Sequence, residues 1–311
     1  MASPNIAFVF PGQGSQYVGM GKDLCEQYPI AKKIFDEAED ALGFSLSQLC
    51  FSGPEADLKL TENTQPAILT VSVAALRVLE AETALRPAFV AGHSLGEYSA
   101  LVAVGALRFA DAVKVVWQRG RLMQQAVPAG AGAMAVILGM EMAAVQSLCD
   151  DAGQGEVVSP ANYNGGGQVV IAGAKSAVAR AMALAKERGA KRALELPVSA
   201  PFHCQLMRPA AEGLSRILND ISVGPFKVAV VTNVEADVNS DAGRVKALLT
   251  EQAVQPVRWE ESVQKLSRLG CTRALEVGPG KVLKGLIKRI APAMDVDNFE
   301  APQDLSGLAA A

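Results

Sequence analysis

Phe89-Val90-Ala91-Gly92-His93-Ser94-Leu95-Gly96-Glu97-Tyr98 is the stretch whose reading decides the fold. A short apolar run leads into Gly-His-Ser-Leu-Gly, and Glu97 through Val104 has helix-forming composition. Strand, tight turn and helix form the setting in which a G-x-S-x-G serine is a nucleophile. Such a turn strains the serine backbone and exposes its hydroxyl, while the glycines leave room for neighbouring chain. The helix points its free N–H groups and its dipole at Ser94, favouring negative charge there. The plain alternative is an N-capping serine in an ordinary βα turn.

Upstream, Ile6-Ala7-Phe8-Val9-Phe10 reads as a buried first strand, broken by Pro11-Gly12-Gln13-Gly14-Ser15-Gln16. This loop fits neither G-x-G-x-x-G nor G-x-x-x-x-G-K, which argues against a nucleotide phosphate cradle. Its position after an early strand suits an oxyanion donor, with a plain turn as the alternative. Lys22 to Glu82 is mostly helical in pattern. Ile68, Val71, Ala75, Leu76 and Leu79 recur near helical spacing, and Pro66 is expected in the first turn of that helix. Asp111 to Gln125 is a further helix, carrying Arg119 and Arg121.

Downstream, Pro128-Ala129-Gly130-Ala131-Gly132 reads as a boundary. Strands are expected at 133–138, 157–164, 168–173 and 192–196, with helices at 142–150 and 176–188. That order, β-α-β-β-α-β, is the ferredoxin-like pattern. The fold class is therefore α/β: a larger unit with a parallel sheet (1–127 and 200–311) interrupted by an inserted α+β subdomain (128–199). In the returning chain, Pro201-Phe202-His203-Cys204 is expected to open a helix running toward Asn219, and 273–277 to be the last strand. Glu300 to Ala311 is Ala-rich and expected to fray.

Composition narrows the function. The chain has 311 residues, half of them hydrophobic, and a net charge of −3, which argues against nucleic acid as the main partner. Its five cysteines form no C-x-x-C pair, so a reducing compartment fits better than a disulfide framework or a zinc site. Neither a secretory start nor a membrane-spanning apolar run is evident, so a cytoplasmic location is expected.

A nucleophilic serine needs a base within hydrogen-bond reach. The chain has two histidines. His93 adjoins Ser94, and neighbouring side chains on a sharp turn point apart, which leaves His203. No Asp or Glu announces itself to orient that ring; a backbone carbonyl is the alternative. Arg119 is either a solvated helical charge or a clamp for a substrate carboxylate, with Arg121 as its rival. Lys281, Lys284 and Lys288, at i, i+3 and i+7 with Arg289 beside them, form either a solvated face or a docking patch for an acidic partner.

From Phe8 to about Ile290 the chain resembles the malonyl-CoA:acyl carrier protein transacylases of type II fatty acid synthesis. The signposts are Pro11-Gly12-Gln13-Gly14-Ser15-Gln16, Asn63-Thr64-Gln65-Pro66-Ala67, the Gly92–Tyr98 turn, Gln118-Arg119-Gly120-Arg121, Ala161-Asn162-Tyr163-Asn164, Pro201-Phe202-His203 and Gly278-Pro279-Gly280. The resemblance implies a hydrolase-like α/β core with a ferredoxin-like insert. It implies Ser94 as acyl-carrying nucleophile, His203 as base, Arg119 as partner of the malonyl carboxylate, and the N–H groups of Gln13 and Leu95 as oxyanion hole. The Gln252 carbonyl would orient the histidine, with Gln255 as a less favoured alternative. Asn162 would stand at the acyl pocket, and Phe202 before the histidine fits a preference for malonyl over branched extender units. It implies malonyl-CoA and the acidic, phosphopantetheinylated acyl carrier protein as partners, no bound cofactor or metal, no membrane, and a monomer. Rival readings are an esterase or thioesterase, an acyltransferase of a polyketide pathway, and a binding module that kept the fold.

Overall fold

The structure, a computed structural model, describes residues 5–198 and 200–308. In chain order, β1 (Asn5–Phe10) precedes five helices: α1 (Lys22–Gln27), α2 (Pro29–Leu42), α3 (Leu46–Ser52), α4 (Glu55–Leu58) and α5 (Thr61–Glu82). Then come β2 (Phe89–Gly92), α6 (Gly96–Ala103) and α7 (Phe109–Gln125). The next run is β3 (Gly132–Leu138), α8 (Met142–Gly153), β4 (Val158–Gly165), β5 (Gln168–Ala174), α9 (Lys175–Glu187) and β6 (Arg192–Glu195). The return consists of α10 (Arg208–Asn219), β7 (Ala229–Val231), β8 (Val238–Asn239), α11 (Val245–Gln252), α12 (Trp259–Arg268), β9 (Cys271–Val277), α13 (Val282–Ile290), β10 (Asp295–Phe299) and α14 (Leu305–Leu308).

Among the described residues, six strands form one sheet in the order β10-β9-β1-β2-β7-β8, parallel except for β8. Alternate side chains leave a strand on opposite faces. Phe8, Phe10, Val90, Val230 and Leu275 face one core, shared with α2, α5, α6, α7 and α10. Ala7, Val9, Ala91, Val231 and Ala274 face the other, against Trp259, Val263 and Leu266 of α12 and Leu283 and Ile287 of α13. A sheet covered on both sides explains why its strands read as continuous apolar runs.

The second sheet has the order β4-β5-β3-β6 and is antiparallel throughout. Ala135, Ile137, Val169 and Ile171 pack on α8 and α9. Met134, Val136 and Val170 leave the opposite face toward the first sheet's unit. Main-chain hydrogen bonds tie β4 to the segment after α11: Tyr163 N–H to the Val257 carbonyl at 2.9 Å and Val257 N–H to the Ala161 carbonyl at 2.8 Å.

Several expectations are corrected. Pro66 lies in the second turn of α5, not its first. Thr61 and Gln65 are buried at the site, so tertiary contacts extend the helix upstream despite the N–H that proline lacks. His203 does not open α10; it sits in the turn before a 3-10 segment at Gln205–Met207. β9 is not the last strand, because β10 pairs parallel beside it; polar Asp295, Asp297 and Asn298 hid that edge strand from a hydrophobicity reading. The terminus is not frayed as far as Leu308, which is buried, and Asp304 accepts from the N–H groups of Glu300 and Ala301 at 3.0 Å. Residues 309–311 of that expectation lie outside the described residues. Among the described residues no helix is long and apolar enough to cross a membrane, and none of the five cysteines is in a disulfide.

Candidate active site

The carboxyl ends of β1 and β2 lie side by side, with Phe10 in register with Gly92. Ligands of open α/β sheets gather at such ends. The turn after β2 is tight: a Cβ on Gly92 would come within 1.9 Å of the Gly96 backbone, and one on Gly96 within 2.0 Å of the Phe10 carbonyl. Only glycine fits either position, and the close approach presses Ser94 into the left-handed region at φ 52°. Its backbone is held on both sides. Ser94 N–H donates to Asn233 Oδ1 at 2.7 Å, and its carbonyl accepts from Gln252 Nε2 at 3.0 Å.

Ser94 Oγ and His203 Nε2 are 2.7 Å apart. His203 also has a left-handed backbone, at φ 59°. The two side chains that meet here thus both sit on strained backbone, as functional residues often do. His203 Nδ1 faces the Gln252 carbonyl at 2.8 Å. Gln252 is the last residue of α11, where carbonyls lack helical donors. A carbonyl only accepts, so Nδ1 carries the proton and Nε2 presents its lone pair to the serine. Burial, and next the positive charge of Arg119, lower the imidazole pKa to about 3, so the ring is a neutral acceptor at physiological pH.

Arg119, on α7, is 2% exposed. Nη1 donates to Gln65 Oε1 at 2.7 Å; Nη2 donates to Gln252 Oε1 at 2.9 Å and lies 3.3 Å from Ser94 Oγ. All three partners are neutral, Nε has no hydrogen-bond partner among the described residues, and the guanidinium lies 5.5 Å from the Tyr98 ring centroid. A buried cation with neutral partners is costly unless an anion joins it. Arg121, its rival, instead stacks over Trp117 at 4.9 Å.

These groups open into a cavity of about 280 Å³, also lined by Gln13, Leu95 and Asn162 and, across the cleft, by Met134, Val136 and Val170. Leu95 is the N-cap of α6, and neither its N–H nor that of Gln13 is engaged among the described residues. Gln13 Oε1 accepts from Thr61 Oγ1 at 2.8 Å. Asn162 lies on β4, bridged to Val257. His93 turns away from Ser94: Nε2 pairs with Asn164 Oδ1 at 2.9 Å, and the ring makes a T-shaped contact with the Trp259 ring, centroids 5.6 Å apart. The lysines lie apart from the chemistry. Lys281 precedes α13 as its N-cap, 4.0 Å from Glu300, so the three do not share one helical face; Lys284 and Lys288 lie within the helix. Val282, Leu283 and Leu286 of the same helix line the cavity.

Gln65, Asn233 and Glu97 were missed as site residues. Two of them stood inside signposted motifs, but a neutral amide or a buried carboxylate carries no sequence signal of its partner. Among the described residues no His, Cys, Asp and Glu cluster could hold a metal. A hydrogen-bonded serine and neutral imidazole, two free N–H groups and a buried guanidinium can together carry out acyl transfer on an anionic acyl group.

Comparison with known proteins agrees with that chemistry. Residues 7–297 match the family described as "Acyl transferase domain". A malonyl CoA-acyl carrier protein transacylase of Bacillus subtilis (strain 168) is 52% identical over 286 residues, covering 92% of this chain and 90% of the relative. The crystal structure of an acyl carrier protein S-malonyltransferase from Vibrio cholerae superposes with a TM-score of 0.96 at 50% identity, over 98% of this chain and 99% of that one. A malonyl-transacylase solved in complex with its type II polyketide acyl-carrier protein gives a TM-score of 0.96 at 45% identity, over 98% and 99% of the two chains.

Proposed function

This chain belongs to the acyl transferase domain family, and from that premise we propose that it moves a malonyl group from malonyl-CoA to the phosphopantetheine thiol of acyl carrier protein. The observation that carries the reading is the buried guanidinium of Arg119, held among the described residues by neutral groups, 3.3 Å from the serine oxygen that would take the acyl group.

In the first half-reaction His203 Nε2 takes the proton of Ser94 as Oγ attacks the thioester carbonyl. The N–H groups of Gln13 and Leu95 receive the oxyanion, each donor contributing about 3 kcal/mol at the transition state. The Gln252 carbonyl steadies the imidazolium that forms. The intermediate collapses, the C–S bond breaks, and the CoA thiolate leaves with the proton from His203. The product is a malonyl-serine ester whose free carboxylate pairs with Arg119. In the second half the carrier thiol gives its proton to His203 and attacks the ester; the C–O bond breaks and Ser94 recovers the proton. The chemistry is ping-pong and needs no cofactor. An acetyl group would leave Arg119 unpaired, which is the basis of selectivity.

The scheme draws every residue it uses from one chain, so it asks for no second copy, and a cytoplasmic monomer remains the state we propose. Lys284 and Lys288, with Lys281 at the helix start, offer positive charge to the acidic carrier on the helix whose other residues line the cavity.

Intact mass after brief incubation with malonyl-CoA or acetyl-CoA tests the reading. One malonyl adduct on Ser94, little acetyl adduct, and discharge onto added holo-carrier protein are expected. Steady CoA release with no adduct would instead mean a hydrolase. Discharge onto a fatty acid carrier but not a polyketide carrier, or the reverse, would identify the pathway.

A further inference from the structure

We propose that Glu97 is a positioning residue for this transfer: acting through the side chain of Gln252, it sets Arg119 for the substrate carboxylate and secures the strained backbone of Ser94. The inference rests on the malonyl-transfer reading and adds a residue that touches neither substrate nor nucleophile oxygen.

Glu97 lies in the first turn of α6, three residues after the serine, and is 2% exposed. A buried carboxylate needs partners, and those of Glu97 are specific. Its Oε2 accepts from Gln252 Nε2 at 2.8 Å and from the Asn233 backbone N–H at 3.0 Å. These two donors belong to the residues that hold the Ser94 backbone. Asn233 Oδ1 takes the serine N–H, its Nδ2 donates to the Gly92 carbonyl at 2.6 Å, and Gln252 Nε2 donates to the serine carbonyl.

Gln252 is fully buried and its amide has two possible orientations of nearly equal shape. In the observed one, Oε1 faces the Arg119 guanidinium and Nε2 faces Glu97 and the Ser94 carbonyl. The flipped amide would aim N–H groups at a cation and a carbonyl at a carboxylate and a carbonyl. Glu97 opposes the flip most, because its Oε2, which also takes the Asn233 N–H, would lose the Gln252 donor and face a buried carbonyl oxygen instead. The same residue's main-chain carbonyl orients His203, so Gln252 meets the arginine, the serine and the histidine, and Glu97 fixes how it does so.

The indirect contact matters. A carboxylate paired directly with Arg119 would occupy the guanidinium that the malonyl carboxylate needs. One intervening amide keeps the Glu97 carboxyl off the guanidinium, whose Nη groups meet only neutral oxygens and whose Nε has no partner among the described residues. Burial raises the Glu97 pKa to about 7; the donors from Gln252 and Asn233 and the charge of Arg119 oppose that rise, while Glu235 adds to it.

The test is single-turnover acylation of wild type, Glu97→Ala, Glu97→Asp and Glu97→Gln with malonyl-CoA and with acetyl-CoA, read by rapid quench and intact mass. Glu97→Ala should slow malonyl acylation on the order of 100-fold and acetyl acylation no more than about 10-fold, so the ratio of the two falls. Glu97→Gln should recover most of the ratio, because its carbonyl oxygen can accept from both donors. If Glu97→Ala does not fold, Glu97→Asp serves: it keeps the charge, withdraws the oxygen from Gln252, and should show the same falling ratio. An unchanged malonyl-to-acetyl ratio in folded Glu97→Ala or Glu97→Asp, whether the two acylations slow equally or neither slows, overturns the inference while leaving malonyl transfer standing. Absence of a malonyl adduct in the wild type would overturn the transfer reading itself.

Discussion

The core side of the cleft carries Ser94, His203, Arg119 and Gln65, with buried Gln252 behind them, whereas the facing sheet offers an apolar wall of Met134, Val136 and Val170 with the amides of Asn162, Asn164 and Gln168 beside it. The polar wall is a set of hydrogen bonds that meets at two residues of strained backbone, Ser94 and His203, both at positive φ. The apolar wall is the unstrained face of an antiparallel sheet whose other face is packed on helices. The contrast separates two tasks. Chemistry needs polar groups fixed in advance, so it sits where long-range contacts hold each group. Shape and dryness need only apolar volume at the right distance, which a sheet face provides.

The polar wall should break most sharply. Ser94→Ala should abolish the covalent adduct, read by intact mass. His203→Ala should slow acylation by about 10²–10⁴-fold, read by quench-flow, with the fold intact by circular dichroism. The apolar wall should respond in stability rather than rate. Met134→Ala should cost about 2–5 kcal/mol in denaturant unfolding, while acylation stays within about fivefold of wild type. Charge reversal of Lys281, Lys284 and Lys288 to Glu lies outside both walls. It should weaken carrier-dependent discharge by about tenfold and spare CoA-dependent acylation; equal loss of both steps would contradict the docking role.

The smallest expected effect is on rate against pH. With the His203 pKa lowered to about 3, the imidazole stays neutral above that value, so acetyl acylation, which does not use the Arg119 contact, should be flat from about pH 8 to 5, and any change confined to malonyl acylation in that range belongs to Glu97, raised to about 7. An acid limb near the ordinary histidine value would contradict this. Stability has a definite sign. Below about 6.5 the unfolded chain protonates its histidine and the native one does not, so the His203 contribution is lost as pH falls from there toward 3. Glu97 and Glu276, whose burial raises them to about 7, oppose it: their contribution is present below about 4.5 and lost as pH rises through 7.

The two walls also differed in how far the sequence disclosed them. The small sheet was legible almost strand by strand, because each strand is a short apolar run bounded by turns or helices, although its order β4-β5-β3-β6 joins strands separated by helices. The Ser94 turn was legible because Gly92 and Gly96 are required by local sterics. What stayed hidden depends on distance in the chain. The strain at His203 comes from a turn that no local pattern marks. The roles of Asn233 and Glu97 exist only because the chain folds back to join residues 136 positions apart. β10 was missed because an edge strand can be polar, and the start of α5 because burial of Thr61 and Gln65 outweighs the proline that follows.

The most direct test of the central claim, that a buried guanidinium beside the nucleophile selects a carboxylated acyl group, is quench-flow acylation of Ser94 in Arg119→Ala with malonyl-CoA and acetyl-CoA side by side. The expected result is loss of malonyl acylation by at least about 100-fold with acetyl acylation retained or raised, collapsing the preference. An Arg119→Ala protein that still takes malonyl in full preference to acetyl would contradict it.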